Sequence, residues 1–180
     1  MDKDLFHSLE GTDIYFKLIS TEDTEDMHEY TSDKECKRFI GWRLMQNPDE
    51  TREFIEELVR RESAGTHLYA SVVLKSNDKV IGTVMLFNFD KEANQAEVGY
   101  VFNRGYWGKG YGTESIALVS KFGFESLKLH KLHASVVGAN IGSARLLEKN
   151  GYELEGRLKD HFFIEDKYYD DLLFGKFEAN

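Results

Sequence analysis

The chain has 180 residues, enough to bury a sizeable core within a single domain spanning 1–180. Apolar residues make up 41% and charged residues 31%, which excludes a disordered or fibrous chain. Lys and Arg number 23 against 32 Asp and Glu, and the resulting net charge of −9 argues against nucleic acid or an anionic membrane as the main partner, while permitting a cationic substrate.

The N-terminal MDKDLFHSLEGTD lacks the basic start and apolar run of a signal peptide, and the chain has no apolar stretch near the roughly 18 residues of a membrane helix. With one cysteine, Cys36, in an expected loop, no internal disulfide can form, and the expected location is the cytoplasm. Thr12–Ile19 (TDIYFKLI) has strand character and Thr21–Asp33 reads as a short acidic helix. In NPDETREFIEELVRRES, Asn47 caps a helix with Pro48 at its first position. Asp49 and Glu50 meet the positive end of its dipole, Arg60 and Arg61 the negative end, and Phe54, Ile55, Leu58 and Val59 form the apolar stripe.

Two strands, HLYASVVLK and KVIGTVMLFNF, flank the turn SND, and a third, QAEVGYVFN, completes a meander. A helix then starts near Thr113, with Ile116, Val119 and Phe122 on one side. LHASVVGAN is the next strand, SARLLEKNG a short helix stopped by Gly151, and YELEGRLKDHFFIEDKYYDDLLFGKFE supplies two closing antiparallel strands. The expected fold is α/β, with a mixed central sheet of about six or seven strands and about four flanking helices.

The stretch Tyr106–Glu114, YWGKGYGTE, carries glycines at 108, 110 and 112 directly after a strand. Glycine is costly in regular structure, so such a cluster implies backbone N–H groups that must approach something closely. A Walker loop fails because Tyr111 stands where lysine is required, and a dinucleotide fingerprint fails because it would end on Thr113 or Ser115. What remains is strand, glycine turn and helix N-terminus, a general anion cradle. A tight strand-to-helix turn without a ligand is the bland reading, and three alternating glycines beside Lys109 weigh against it.

GKGYG after AEVGYVF, followed by TES, resembles the pyrophosphate-binding loop of the GNAT superfamily of N-acetyltransferases. Trp107 takes the Gln/Arg position of its Gln/Arg-x-x-Gly-x-Gly/Ala pattern, and Gly110 and Gly112 supply the glycines. ANIGSARLLEKNGYELEGRLKD is similar to the family's Asn-x-x-Ser-x-x-Leu-x-Glu-Lys-x-Gly-Tyr/Phe segment. The two motifs stand in order about 30 residues apart. The Trp-Gly-Lys-Gly version resembles the ribosomal-protein N-terminal acetyltransferases, and the tail also resembles spermidine/spermine acetyltransferases.

The resemblance implies acetyl-CoA as co-substrate, with its pyrophosphate on the backbone of Trp107, Gly108, Lys109, Gly110, Tyr111, Gly112 and Thr113. It places the pantetheine arm beside Tyr100, Val101 and Phe102 as an added strand, with Asn140 opposite and Ser143 nearby. A helix cap is an equal reading of Asn140. Glu97 is the expected general base, because an ammonium cannot attack a thioester. Strand alternation puts it with Gly99 and Val101, opposite Val98, Tyr100 and Phe102. The family's proton-donating tyrosine corresponds to Leu147, which leaves the acid to water or Ser143. His130 and His133 lack a ligand pattern, so no metal is expected. Tyr168, Tyr169, Asp170 and Asp171 are candidates for an acceptor pocket, and edge-strand solubility explains them as well.

The acceptor implied is a small-molecule or peptide amine, and a homodimer is compatible with this reading. An α-amino group with a pKa near 8 is about one-fifth neutral at pH 7.4, and a lysine-like amine about one-thousandth, so a polyamine leans harder on a base. The alternative is a non-catalytic coenzyme A-binding or regulatory module of the same fold.

Overall fold

The structure is a computed structural model that describes residues 2–178; residues 1, 179 and 180, which the single-domain reading includes, lie outside it. A short helix α1 (Lys3–His7) precedes β1 (Ile14–Lys17), α2 (Thr24–Thr31), α3 (Lys34–Lys37) and α4 (Pro48–Ser63). The meander β2 (Leu68–Leu74), β3 (Lys79–Asp90) and β4 (Gln95–Phe102) leads through α5 (Tyr111–Lys121) to β5 (Lys131–Val137). Then come α6 (Ile141–Lys149), β6 (Glu153–Ile164) and β7 (Lys167–Phe177). The strands form one sheet in the order β1-β2-β3-β4-β5-β7-β6, within the expected six or seven. Four of the helices have eight or more residues, as expected; α1 and α3 are additions that no periodicity announced.

All neighbouring strands pair antiparallel except β4 and β5, which run parallel because α5 carries the chain back across the sheet. Each face of the sheet buries its own apolar cluster. On one side Val98 and Phe102 of β4 pack with Ile116, Val119 and Phe122 at the α5 end and Leu147 of α6. On the other, Val101 packs with Met27, Tyr30, Cys36, Ile55 and Leu58 of α2, α3 and α4. Burying each large side chain of this kind stabilises the fold by roughly 1.5–3 kcal/mol.

Helix α4 begins as its sequence dictates, with Asn47 Oδ1 accepting from the Glu50 amide at 3.0 Å. Its stripe differs from the expectation. Thr51, Ile55, Leu58 and Glu62 are buried, and Val59 is exposed. The stripe turns toward Glu62 because that carboxylate has buried partners, accepting from the Tyr69 amide at 2.8 Å and contacting His7 Nε2 at 3.1 Å. Among the described residues no helix is long and apolar enough to cross a membrane.

Candidate functional site

The parallel pairing of β4 and β5 lasts three rungs, Gln95↔Lys131, Ala96↔Leu132 and Glu97↔His133. Beyond it the strands part, β4 staying with β3 and β5 with β7. The Asn103 amide donates to the Ile81 carbonyl at 2.8 Å. Hydrogen-bonding direction alternates along an antiparallel strand, so the backbone groups of Phe102, Tyr100 and Val98 point away from β3 into the split. A cleft of about 560 Å³ fills this opening. Its walls are the end of β4 (Tyr100, Val101, Phe102), the glycine turn with Thr113, the start of α6 with Asn140 and Ser143, and Cys36, Phe39 and Ile40 from the α3 region.

At the mouth, Gly108 and Gly110 adopt φ of +73° and +93°, a left-handed backbone that side chains rarely take. Gly110 is the N-cap of α5, so the amides opening that helix are free of intrahelical partners. A β-carbon on Gly108 or Gly110 would meet nothing within 4 Å. Gly112 is different: a β-carbon there would lie 2.6 Å from Leu146 Cδ1 and 3.2 Å from Phe102 Cε2. Its glycine is required by the packing of α5 against α6 and β4, not only by approach to an anion. The turn is tied down by Trp107, whose Nε1 donates to the Phe102 carbonyl at 2.7 Å. Glu114 holds the other side by accepting from the Thr12 and Asp13 amides. Lys109 lies outside the cleft wall, its Nζ 4.9 Å from the centre of the Tyr106 ring. Tyr111 is also outside, its ring 6.3 Å from that of Tyr106 and packed on the core.

Across the split, Asn140 is a helix cap, its Oδ1 accepting from the Ser143 amide at 3.2 Å. It also lines the cleft. The Tyr100 hydroxyl lies 2.6 Å from Ser143 Oγ and bridges the two walls. Burial raises the Tyr100 pKa to about 12, with the Ser143 hydrogen bond acting in the opposite direction. Leu147 is fully buried in the core.

Glu97 stands at the vertex of the split rather than in the cleft wall. It is half-buried, and its Oε2 accepts from Asn88 Nδ2 at 2.8 Å. Asn88 reaches it from an irregularity in β3, where its φ is +50°. Gly99 and Val101 share the Glu97 face, and a β-carbon on Gly99 would press on Met85. The rung partner His133 is pushed below its ordinary pKa chiefly by burial, with the Glu97 carboxylate opposing that shift.

Along β5 and β7, alternation and register put Ser135 and Asp171 on the His133 face. Asp171 is buried and accepts from Ser135 Oγ at 2.7 Å. Tyr169 meets Phe39 edge to face at 6.2 Å, whereas Tyr168 is exposed and Asp170 is engaged with Arg157 and the Asp160 amide.

The structure therefore gathers Tyr100, Val101, Phe102, Trp107, Gly108, Gly110, Gly112, Thr113, Asn140 and Ser143 around one cleft, with Glu97 at its vertex. Cys36 was expected in a loop, incidental to the site. It lies instead in α3, buried in the cleft wall, with its thiol directed at the Phe102 carbonyl. Its helix has only four residues, too few for a periodic signal. Burial pushes this thiol up, away from the reactive thiolate form. His133, as rung partner, and Asn88, as hydrogen-bond donor, are the neighbours of Glu97 at the vertex, and sequence reasoning gave neither that place.

A family model described as acetyltransferase (GNAT) domain matches residues 13–153. The probable N-acetyltransferase YjcK of Bacillus subtilis (strain 168) is 32% identical over 169 residues, 90% of this chain and 92% of that protein. Ribosomal-protein-S5-alanine acetyltransferase from Vibrio fischeri superposes with a TM-score of 0.81 at 24% identity, over 96% of this chain and 97% of that one. Spermidine N-acetyltransferase from Vibrio cholerae, solved in complex with CoA and spermine, gives 0.80 at 20% identity over 93% and 96%. At these identities the two structures speak for the fold alone.

Proposed function

Since the chain belongs to the GNAT acetyltransferase family, we propose that it moves an acetyl group from acetyl-CoA to a primary amine, the amine attacking the thioester carbonyl directly. The observation that carries this reading is the split of β4 from β5, with a carboxylate at its vertex and a glycine turn at its mouth. In this reading residues 1–180 act as one domain in the cytoplasm, without nucleic acid or membrane as partner; the acidic charge supports that view.

The amides from Gly108 to Thr113 hold the pyrophosphate, helped by the positive end of α5; the Trp107 amide, expected among them, donates to the Arg104 carbonyl at 3.2 Å instead. The backbone of Tyr100 takes the pantetheine arm as an added strand; Val101, expected beside it, turns its backbone toward β3, where it pairs with Thr83. Phe102 contributes less than expected, because its carbonyl is already held by Trp107. Glu97 takes the amine proton, and backbone N–H groups of β4 steady the oxyanion. The acceptor is a small-molecule or peptide amine. The names of the two structural neighbours, one for spermidine and one for a ribosomal protein, span those classes.

The deciding experiment screens polyamines, amino acids, amino sugars and N-terminal peptides with acetyl-CoA, read by free coenzyme A. Release with any amine is the expected result. Coenzyme A binding by calorimetry with no release from any of them would make the chain a non-catalytic module.

Two residues near the turn are expected to matter little. Lys109→Ala should weaken coenzyme A binding about fivefold or less in calorimetry, because an exposed charge contributes ~0–1 kcal/mol. Tyr111→Phe should retain most turnover, because its ring packs on the core outside the cleft wall. A collapse in its rate at unchanged thermal stability would assign it a proton role.

A further inference from the structure

A primary ammonium carries three N–H donors, and acetyl transfer treats them differently. One proton must leave before the nitrogen can attack, a second is lost as the amide forms, and the third hydrogen stays on the amide. Glu97 accounts for the first alone. The register of the sheet defines what stands beside it. A row crosses the strands from Phe87 of β3 through Glu97 of β4 and His133 of β5 to Gly175 of β7. Paired residues point to the same face on strands about 4.8 Å apart, so the His133 ring neighbours the Glu97 carboxylate on the side away from Asn88. Phe87, stacked on His67 at 5.7 Å, closes the row as an apolar wall. At the other end Gly175 makes room for the Glu155 carboxylate, on which a β-carbon would press. Glu155 in turn holds Lys131 Nζ at 2.6 Å, so the lysine charge on the His133 face is matched there rather than at Glu97.

Resting on the acetyl-transfer reading, we propose that His133 binds the acceptor: its ring accepts one N–H of the incoming amine while Glu97 takes the proton from another. A neutral imidazole keeps a lone pair on one ring nitrogen and loses it on protonation. Burial holds His133 below the ordinary histidine value, with Glu97 acting in the opposite direction, so the ring is neutral at pH 7. Glu97 already accepts from Asn88, and a carboxylate has lone pairs left for the amine. The step balances. Glu97 removes one proton, the nitrogen pair forms the C–N bond, and the C–S bond breaks with its pair on sulfur. A second nitrogen proton passes through solvent to the thiolate, and the hydrogen held by His133 remains on the amide. Two acceptors on adjacent strands hold the nitrogen in one orientation before the thioester, which a single carboxylate does less well.

The test uses the full chain, acetyl-CoA and the fastest acceptor among spermidine, an alanine-initiated peptide and glucosamine. His133→Leu fills the space and removes the lone pair, whereas His133→Gln keeps a side-chain oxygen that can accept. His133→Leu should lower kcat/KM for the acceptor about tenfold or more, the scale of a hydrogen bond to a charged group. The KM for acetyl-CoA should change less than about twofold. His133→Gln should retain about a third or more of the wild-type kcat/KM, because its amide oxygen replaces the lone pair.

The distinguishing readout is the ratio of wild-type to His133→Leu kcat/KM across pH, in which the acceptor's own titration cancels. The charged groups that face His133 are Glu97 of β4, Lys131 of β5, Glu155 of β6 and Asp171 of β7, and all are present in each protein. The ratio should be level near and above pH 7. It should fall toward one as the pH drops through the His133 pKa, because a protonated ring cannot accept and repels the ammonium. The ratio of His133→Gln to His133→Leu should stay level throughout. A wild-type ratio that is level at every pH, a glutamine variant as slow as the leucine variant, or a loss confined to thermal stability or to the KM for acetyl-CoA would make His133 a packing residue and overturn the proposal. A wild type that binds acetyl-CoA but releases no coenzyme A with any of the three amines would instead break the acetyl-transfer reading for them, and the proposal would fall with it.

Discussion

Gly110→Val is expected to weaken coenzyme A binding on the order of a hundredfold while the protein remains folded. Gly110 holds φ +93° as the N-cap of α5, and a β-carbon there meets no atom of the protein within 4 Å. The loss therefore does not come from a clash within the fold. A β-branched residue is strained at this φ by about 1–3 kcal/mol, and relaxing the strain turns the neighbouring amides off their common target. Each charge-assisted hydrogen bond lost to a phosphate oxygen removes a further ~1.5–3 kcal/mol. The valine methyls also project into space that the cleft leaves open to a ligand. Titration calorimetry with coenzyme A, alongside thermal unfolding, checks the result. Unchanged affinity in a folded variant would remove this turn from the binding site. Gly112→Ala provides the contrast: its β-carbon presses on Leu146 and Phe102, so it should lower thermal stability as well as affinity.

Much of this geometry was legible in local sequence because local chemistry decides it. Asn47 and Pro48 open α4, and the alternation of QAEVGYVFN correctly divided Val98, Tyr100 and Phe102 from Glu97, Gly99 and Val101. The glycine spacing located the turn. What escaped depends on partners distant in the chain. Glu97 faces His133 only because a helix-containing crossover fixes the parallel register, and no local pattern encodes that rung. Cys36 reaches the cleft on a helix of four residues, one turn long. Trp107 stands at the motif's Gln/Arg position, yet its indole N–H holds the Phe102 carbonyl, which the resemblance places beside the ligand. The stripe of α4 was displaced from Val59 to Glu62 because a buried carboxylate with two partners outweighs one exposed valine.

Glu97→Gln is expected to lower turnover on the order of a hundredfold or more, the scale of losing a general base. The acceptor arrives mostly as an ammonium, whose nitrogen lone pair is occupied, and it must shed a proton before or during attack. A carboxylate at the vertex both attracts the cation and accepts that proton, directly or through one water. Glutamine keeps the shape and can still accept from Asn88 Nδ2, so the irregularity in β3 and the rung with His133 should survive. What disappears is basicity and charge. Affinity for acetyl-CoA should hardly change, because Glu97 is not part of the cleft wall. His133 is no ready substitute: burial depresses its pKa and makes its protonated form costly. Raising the pH should return part of the rate, since the free-amine fraction grows toward the acceptor's own pKa. Steady-state rates across pH for both proteins, on the acceptor found by screening, check this expectation. If the variant turned over at nearly the wild-type rate at neutral pH, solvent would be the proton sink, and the site would accelerate transfer mainly by holding amine and thioester together.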